Sequence, residues 1–280
     1  MSLKGNRTLE ILAKAERGGY GVLAHAVYDT QMAVGLVRAA ERAQSPAILQ
    51  FFPPPFMYGK ASVPISVHLD HATDPEQVQF ALDLAEKGIP LDSIMLDGSR
   101  AETDEENIAL TKPYVELFHK CGVAVEVELG RVEGGEQGLR GVSNARPTDP
   151  KKVRAFLEGT GADIIAPSIG NLHGLYIKSP SFNQQILKDI HSEFNGRIPI
   201  CLHGTGGIPE PLFRECIKNG VSKVNINVEG RTLYAKALGE GLLSKPFPEA
   251  VENATEVFTK ECERFMTIFG STEKAGSAKN

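Results

Sequence analysis

The chain has 280 residues, of which 41% are hydrophobic and 23% charged, an ordinary globular composition that excludes disordered, collagenous and coiled-coil classes. A formal net charge of −5 argues against a nucleic-acid or anionic-membrane partner. It leaves room for a phosphorylated small molecule, which a few backbone N–H groups and one lysine can hold. Cys121, Cys201, Cys216 and Cys262 are scattered with no CxxC pair, as expected of free thiols in a reducing compartment. No signal-peptide h-region follows the first charges and no apolar run approaches bilayer length, so a cytoplasmic protein is expected.

The pattern begins with an amphipathic helix over residues 7–18, stopped at Gly18-Gly19. Apolar, β-rich runs follow at 21–27, 46–52, 65–69, 93–96, 123–129, 163–169, 198–202 and 223–228. Most are continuously apolar, as strands covered on both faces should be. Helical periods lie between most of them, at 30–44, 74–88, 104–121, 149–158, 182–194, 209–219 and 229–243, and a long helix at 248–269 closes the pattern. Asp74-Pro75 and Asp149-Pro150 place a capping residue before the favoured first helical position. Eight strands alternating with helices predict an α/β fold, a (β/α)8 TIM barrel, as a single domain over 1–280. One step departs from it. Only about ten residues, 53–62, separate the second strand from the third, and three prolines open them. Either the outer helix after strand two is absent or residues are missing from the sequence there.

In such a barrel the chemistry sits at the C-terminal ends of the strands. Strand three ends in His68-Leu69-Asp70-His71, strand four in Leu96-Asp97-Gly98-Ser99, and strand five carries Glu126 and Glu128 before a loop rich in glycine, 133–138. Strand six leads to His173-Gly174, strand seven to His203-Gly204-Thr205-Gly206-Gly207, and strand eight to Asn225-Ile226-Asn227-Val228. Polar groups at the end of a buried strand cost desolvation energy unless they are paired or bind a metal. His71, His173 and His203 fall at the same barrel end, and three imidazoles with an open fourth position make a catalytic zinc pattern. His119 and His191 read as solvated helix residues, His25 as a strand-one residue near the site, and His68 as a neighbour of Asp70. Gly204, Gly206 and Gly207, directly before the helix opened by Pro209, read as a phosphate cradle, with Gly174 and Lys178 in reach.

In order and spacing, His68-Leu69-Asp70-His71, Leu96-Asp97-Gly98-Ser99, Val125-Glu126-Val127-Glu128-Leu129-Gly130, His173-Gly174-Leu175-Tyr176, Leu202-His203-Gly204 and Lys223-Val224-Asn225 closely resemble the class II, zinc-dependent fructose-bisphosphate and tagatose-bisphosphate aldolases. The resemblance implies His71, His173 and His203 as zinc ligands and Asp70 as the acid/base on the aldehyde-derived hydroxyl. It implies Asp97 and Glu128 at a second or resting divalent-metal position, and Glu136 as the carrier of the C3 proton. Gly174, Lys178, Gly204, Thr205, Gly206, Asn225, Ile226, Asn227 and Val228 match phosphate and dihydroxyacetone contacts. It further implies a lyase of carbohydrate metabolism such as glycolysis, a monovalent cation such as sodium or potassium, and a homodimer or tetramer.

The sequence departs from the family at several points. Ala24-His25-Ala26 stands for the usual Ala-Phe-Asn, Gly206 for a serine, Val228 for a threonine, and Ala72 for a frequent second histidine. None removes a proposed zinc ligand or Asp70. The alternatives are another ketose-phosphate aldolase, a zinc hydrolase on the same barrel, or a non-catalytic paralogue that binds sugar phosphate.

Overall fold

The computed structural model describes residues 3, 5–27, 30–51, 63–134, 145–174, 176 and 180–276. In chain order the elements are α1 (Arg7–Gly18), β1 (Val22–Val27), α2 (Thr30–Ala43), β2 (Ala47–Phe51), β3 (Ile65–Ala72), α3 (Pro75–Glu86), β4 (Ser93–Leu96), α4 (Asp104–Lys120) and β5 (Ala124–Leu129). They continue with β6 (Glu133–Gly134), α5 (Pro150–Thr160), β7 (Ile164–Pro167), β8 (Leu172–His173), α6 (Gln184–Phe194), β9 (Ile200–Leu202), α7 (Glu210–Lys218), β10 (Val221–Ile226), α8 (Val228–Leu242) and α9 (Phe247–Ile268). Eight strands close into a barrel in the order β1-β10-β9-β7-β5-β4-β3-β2, every pairing parallel. The fold is the expected (β/α)8 TIM barrel. The question raised by residues 53–62 lies outside the described residues.

The local signals act as their chemistry requires. Asp74 and Asp149 accept hydrogen bonds from the backbone N–H groups of Glu76 and Lys151, with Pro75 and Pro150 opening α3 and α5. Thr103 and Glu106 form a reciprocal capping box on α4. Continuous burial of β1, β3, β4, β5 and β7 follows from their two-sided cover, with inward and outward residues alternating. Outward residues such as Leu23, Leu49, Val125 and Val224 pack on the surrounding helices. Inward residues Val22, Ala24, Ile48, Ile164, Ala166 and Cys201 form a second cluster with Ile11, Leu12 and Ala15 of α1, which closes the N-terminal end of the barrel.

Above that apolar floor, the same alternation aims Gln50, His68, Glu126 and Lys223 into the barrel interior and Asp70, Glu128 and His203 toward its C-terminal mouth, all of them buried. That layer is where the chemistry begins.

Three sequence expectations change. β3 runs to Ala72, three residues past the predicted end, so Asp70 and His71 belong to the strand itself. His119 and His191 are not simply solvated: His119 Nε2 is 2.8 Å from Asp163 Oδ2 and His191 Nε2 is 2.5 Å from Glu16 Oε1. His25 points away from the barrel mouth, its ring 4.7 Å from that of Phe258 on α9 and packed on Gly230 of α8.

Candidate active site

His71 reaches the site through irregular backbone. The register between β3 and β4 shifts between Leu69 and Ala72, and His71 has a φ of 50°, a left-handed conformation that costs a non-glycine residue roughly 1–2 kcal/mol. The bulge brings consecutive residues Asp70 and His71, which regular pleating would send to opposite faces, to one place. His173 sits on β8, which pairs in parallel with β6; neither short strand was legible in the sequence. Gly134 on β6 is obligatory there, because its φ is 97° and a Cβ would stand 2.1 Å from His173 O. His203 follows β9. Asn171 Nδ2 donates to His203 O over 2.8 Å, and Tyr176 Oη accepts from Leu172 N and donates to Gly204 O. Asn171 and Tyr176 therefore tie together the two loops that carry His173 and His203.

The three imidazoles meet in the barrel mouth. Ring centroids of His71 and His173, and of His71 and His203, are 4.9 Å apart, and one ligand atom from each of the three lies within 4.8 Å of the others. His71 Nδ1 is 3.1 Å from Asp97 Oδ2 and His203 Nε2 is 2.8 Å from Glu126 Oε1. The opposite nitrogens, His71 Nε2 and His203 Nδ1, face each other 3.2 Å apart. Carboxylates behind two imidazoles whose lone pairs converge make the arrangement that orients histidines on a metal. His173 Nε2 is buried with no hydrogen-bond partner among the described residues.

The electrostatics favour a cation at this point. Burial alone would lower His71, but Asp70 and Asp97 override it and raise the imidazole to about 10. A field that holds a proton also favours a divalent ion. Burial, with His71 and His203 beside it, takes His173 well below its ordinary value, so it is neutral, the form that ligates. The three histidines fit a metal.

Two further groups have metal-like spacing, Glu126 with Cys201 and His203, and His68 with Asp70 and Glu126. Both are already served by an ammonium: Lys223, wholly buried inside the barrel, places Nζ 2.9 Å from Glu126 Oε2. A second cation there would be repelled.

Asp70 is held well below the usual carboxylate range: burial raises it, and His71, His68 and Lys223 outweigh burial. It is an ionised base beside the metal position. His68 Nδ1 is 2.8 Å from Ser93 Oγ, which in turn accepts from Thr8 Oγ1 of α1 at 3.0 Å. His68 Nε2 stands 3.6 Å from Asp70 Oδ1, beyond hydrogen-bond distance. Asp97 also accepts from Ser99 N and Oγ. Glu128 accepts from Val132 N at 3.1 Å, and burial with the nearby Asp97 pushes it up to about 7. Asp97 and Glu128 thus border the histidine group and belong to none of the three metal-like groups among the described residues.

The phosphate cradle is more occupied than the glycines suggest. Gly204, with a φ of 63°, and Gly206 let the loops after β7 and β9 touch: a Cβ would stand 2.5 Å from Leu172 O at Gly204 and 2.5 Å from Gly174 O at Gly206. Gly207 N donates to Glu229 Oε1 at 2.5 Å, and Thr205 Oγ1 donates to Asn225 O at 2.5 Å. Asn225 and Ile226 end β10, and Asn227 caps α8, whose first residue is Val228. Gly174 follows His173 at the same mouth. Glu136 and Lys178 lie outside the described residues. Glu126 and Lys223 were visible in the sequence only as motif letters; a lysine interrupting an apolar run was the one available signal.

A sequence-family model described as fructose-bisphosphate aldolase class-II matches residues 6–274. A crystal structure titled as "a putative fructose-1,6-biphosphate aldolase" from Coccidioides immitis has a TM-score of 0.91 at 34% identity, covering 97% of this chain and 99% of that one. The crystal structure of the YdjI aldolase from Escherichia coli K12 has a TM-score of 0.82 at 29% identity, with 96% and 98% covered. The D-tagatose-1,6-bisphosphate aldolase subunit GatY of Klebsiella oxytoca is 34% identical over 244 residues, 81% of this chain and 83% of that protein.

Proposed function

Because the chain belongs to the class II fructose-bisphosphate aldolase family, we propose that it is a zinc-dependent lyase acting on a ketose 1,6-bisphosphate. Fructose 1,6-bisphosphate is the first substrate to test, with dihydroxyacetone phosphate and glyceraldehyde 3-phosphate as products. The observation that carries the proposal is the convergence of three buried imidazoles around one point with the ionised Asp70 beside them.

His71, His173 and His203 would hold the metal. Zinc is the assignment because three nitrogen donors with an open position suit it as a catalytic ion. When bound, it supplies Lewis-acid stabilisation of the negative charge that develops on the ketose carbonyl, worth several kcal/mol. Asp70 takes the proton of the C4 hydroxyl. The C3–C4 bond then breaks, the aldehyde leaves, and its bonding electrons pass to the carbonyl as an enediolate. Proton transfer of this kind contributes roughly 10²–10⁴-fold. Glu136 is assigned the proton delivered to C3, and Asp97 and Glu128 a resting position for a divalent ion. The phosphate falls to backbone N–H groups of Gly174, Gly204 and Gly206 and of Asn227 and Val228 at the start of α8, with Lys178. Asn225 takes the dihydroxyacetone hydroxyls. A monovalent cation, a homodimer or tetramer, and a cytoplasmic location complete the reading.

The test is release of triose phosphate from fructose 1,6-bisphosphate and from tagatose 1,6-bisphosphate, with and without EDTA. Chelator-sensitive cleavage that survives borohydride is expected, and the preferred epimer names the substrate. Binding of both sugars without cleavage would sink the lyase in favour of a non-catalytic sugar-phosphate binder. Asp70→Ala should keep its metal and lose roughly 10²–10⁴-fold in turnover.

A further inference from the structure

Lys223 is the least expected charge in the molecule. It lies on β10 with its side chain in the barrel interior, fully buried, and its ammonium is kept charged against burial by the carboxylates of Glu126 and Asp70. A buried lysine keeps its charge only where partners compensate the lost hydration. Among the described residues its Nζ meets Glu126 Oε2 at 2.9 Å, Asn225 Oδ1 at 2.9 Å and Cys201 Sγ at 3.5 Å. Neither Glu126 nor Asn225 stops there. The other oxygen of Glu126 meets His203 Nε2 at 2.8 Å, and Asn225 Nδ2 lies 3.2 Å from that same nitrogen and 3.4 Å from Asp70 Oδ2.

We propose that Lys223 is a positioning residue that sets, through Glu126, which nitrogen of His203 faces the metal and, through Asn225, which way an amide meets Asp70. The inference rests on the metal reading of the three histidines.

The geometry argues it directly. With an ammonium on Oε2, Glu126 remains a carboxylate and can only accept at Oε1. The amide Nδ2 of Asn225 also approaches His203 Nε2, at 3.2 Å, but the carboxylate is closer at 2.8 Å and can only accept, so His203 carries its proton on Nε2 and its Nδ1 lone pair points at His71 Nε2, 3.2 Å away. Asn225 follows the same logic. Its Oδ1 is drawn to the ammonium and also accepts from Cys201 Sγ at 3.2 Å, so its NH2 is turned toward Asp70. One cation sets two hydrogen-bond directions.

Removing it has a specific consequence. In Lys223→Met, Glu126 loses the partner that fixes Oε2, so its carboxylate is no longer held against His203 Nε2. The His203 proton is then free to sit on Nδ1, where it blocks the metal-facing lone pair. Glu126→Gln fails by another route: the new amide offers its oxygen to the ammonium and its NH2 to Nε2, with the same result. In the double variant the amide is free to turn its oxygen to Nε2–H and restore the lone pair.

The experiment is zinc affinity by competition with a chromophoric chelator, on the full chain at neutral pH. Each variant is checked for folding by far-UV circular dichroism. Each single substitution should weaken zinc binding 10–100-fold, the range for residues behind a ligating histidine. The double variant should bind about tenfold more tightly than either single one. A merely structural lysine predicts losses that add. Affinity of Lys223→Met within twofold of the parent, or additive losses in the double variant, overturns the proposal. If Lys223→Met does not fold, unchanged affinity of Glu126→Gln overturns it equally. A parent protein that binds no zinc would overturn the metal reading and this inference together.

Discussion

His25 illustrates how much one position can depend on its neighbours. It is wholly buried between β1, α8 and α9, with Nδ1 2.7 Å from Ala26 O and Nε2 without a partner among the described residues. Burial takes its imidazole down to about 4. In the unfolded chain it titrates near 6.5, so between these values the unfolded state binds more protons. Its contribution is fully present above about pH 6.5 and is lost as pH falls toward 4, a swing of about 3 kcal/mol. His25→Leu, apolar and of similar volume, should flatten urea-unfolding stability over that window. An unchanged slope between pH 4 and 6.5 would refute this account. His71 is the opposite case, with charged neighbours that favour a cation so strongly that burial loses.

At the scale of elements, the site depends on loops that meet backbone to backbone. Where the family carries a serine, this chain has Gly206, and the structure supplies a reason. The loop after β7 closes so tightly that a Cβ would stand 2.5 Å from Gly174 O and 3.2 Å from Val228 Cγ2. Gly206→Ser should therefore not restore a missing phosphate donor. Instead, it should push the β7 and β9 loops apart and raise KM for the bisphosphate by tenfold or more, with smaller loss of kcat. A lower KM would show that the hydroxyl is accommodated and that this packing account is mistaken. Gly134 sets an equal constraint on the other side of His173, since its neighbour is a carbonyl oxygen and cannot rotate away as a side chain would.

For the whole molecule, barrel closure converts residues distant in sequence into one charged layer. His71 and His203 are separated by 132 positions, and Asn225 and Asp70 by 155. That layer sits on an apolar floor sealed by α1, so among the described residues its charges are compensated largely by one another. Metal binding should thus act on global stability. Zinc at about 100 times its dissociation constant adds about 2.7 kcal/mol to the native state, which raises the melting midpoint of a chain this long by of order 5 °C. Differential scanning calorimetry with zinc and with EDTA checks it, and superimposable midpoints would count against a folded-state metal site.

Periodicity was enough to read the eight barrel strands and the helices, with bounds mostly within two residues, because continuous burial and capping are local properties written in consecutive side chains. The three histidines, Asp70 and the glycines were legible for the same reason: polar groups and turn residues stand out at the ends of apolar runs. Tertiary structure alone decided the rest. It turned His25 out of the site, paired His119 and His191, built β6 and β8, and engaged Gly207 with Glu229. It also made Lys223 and Glu126 the partners behind His203 and Asn225. Those outcomes are set by distances across the barrel and by which lone pair faces which donor, and no run of neighbouring residues encodes either.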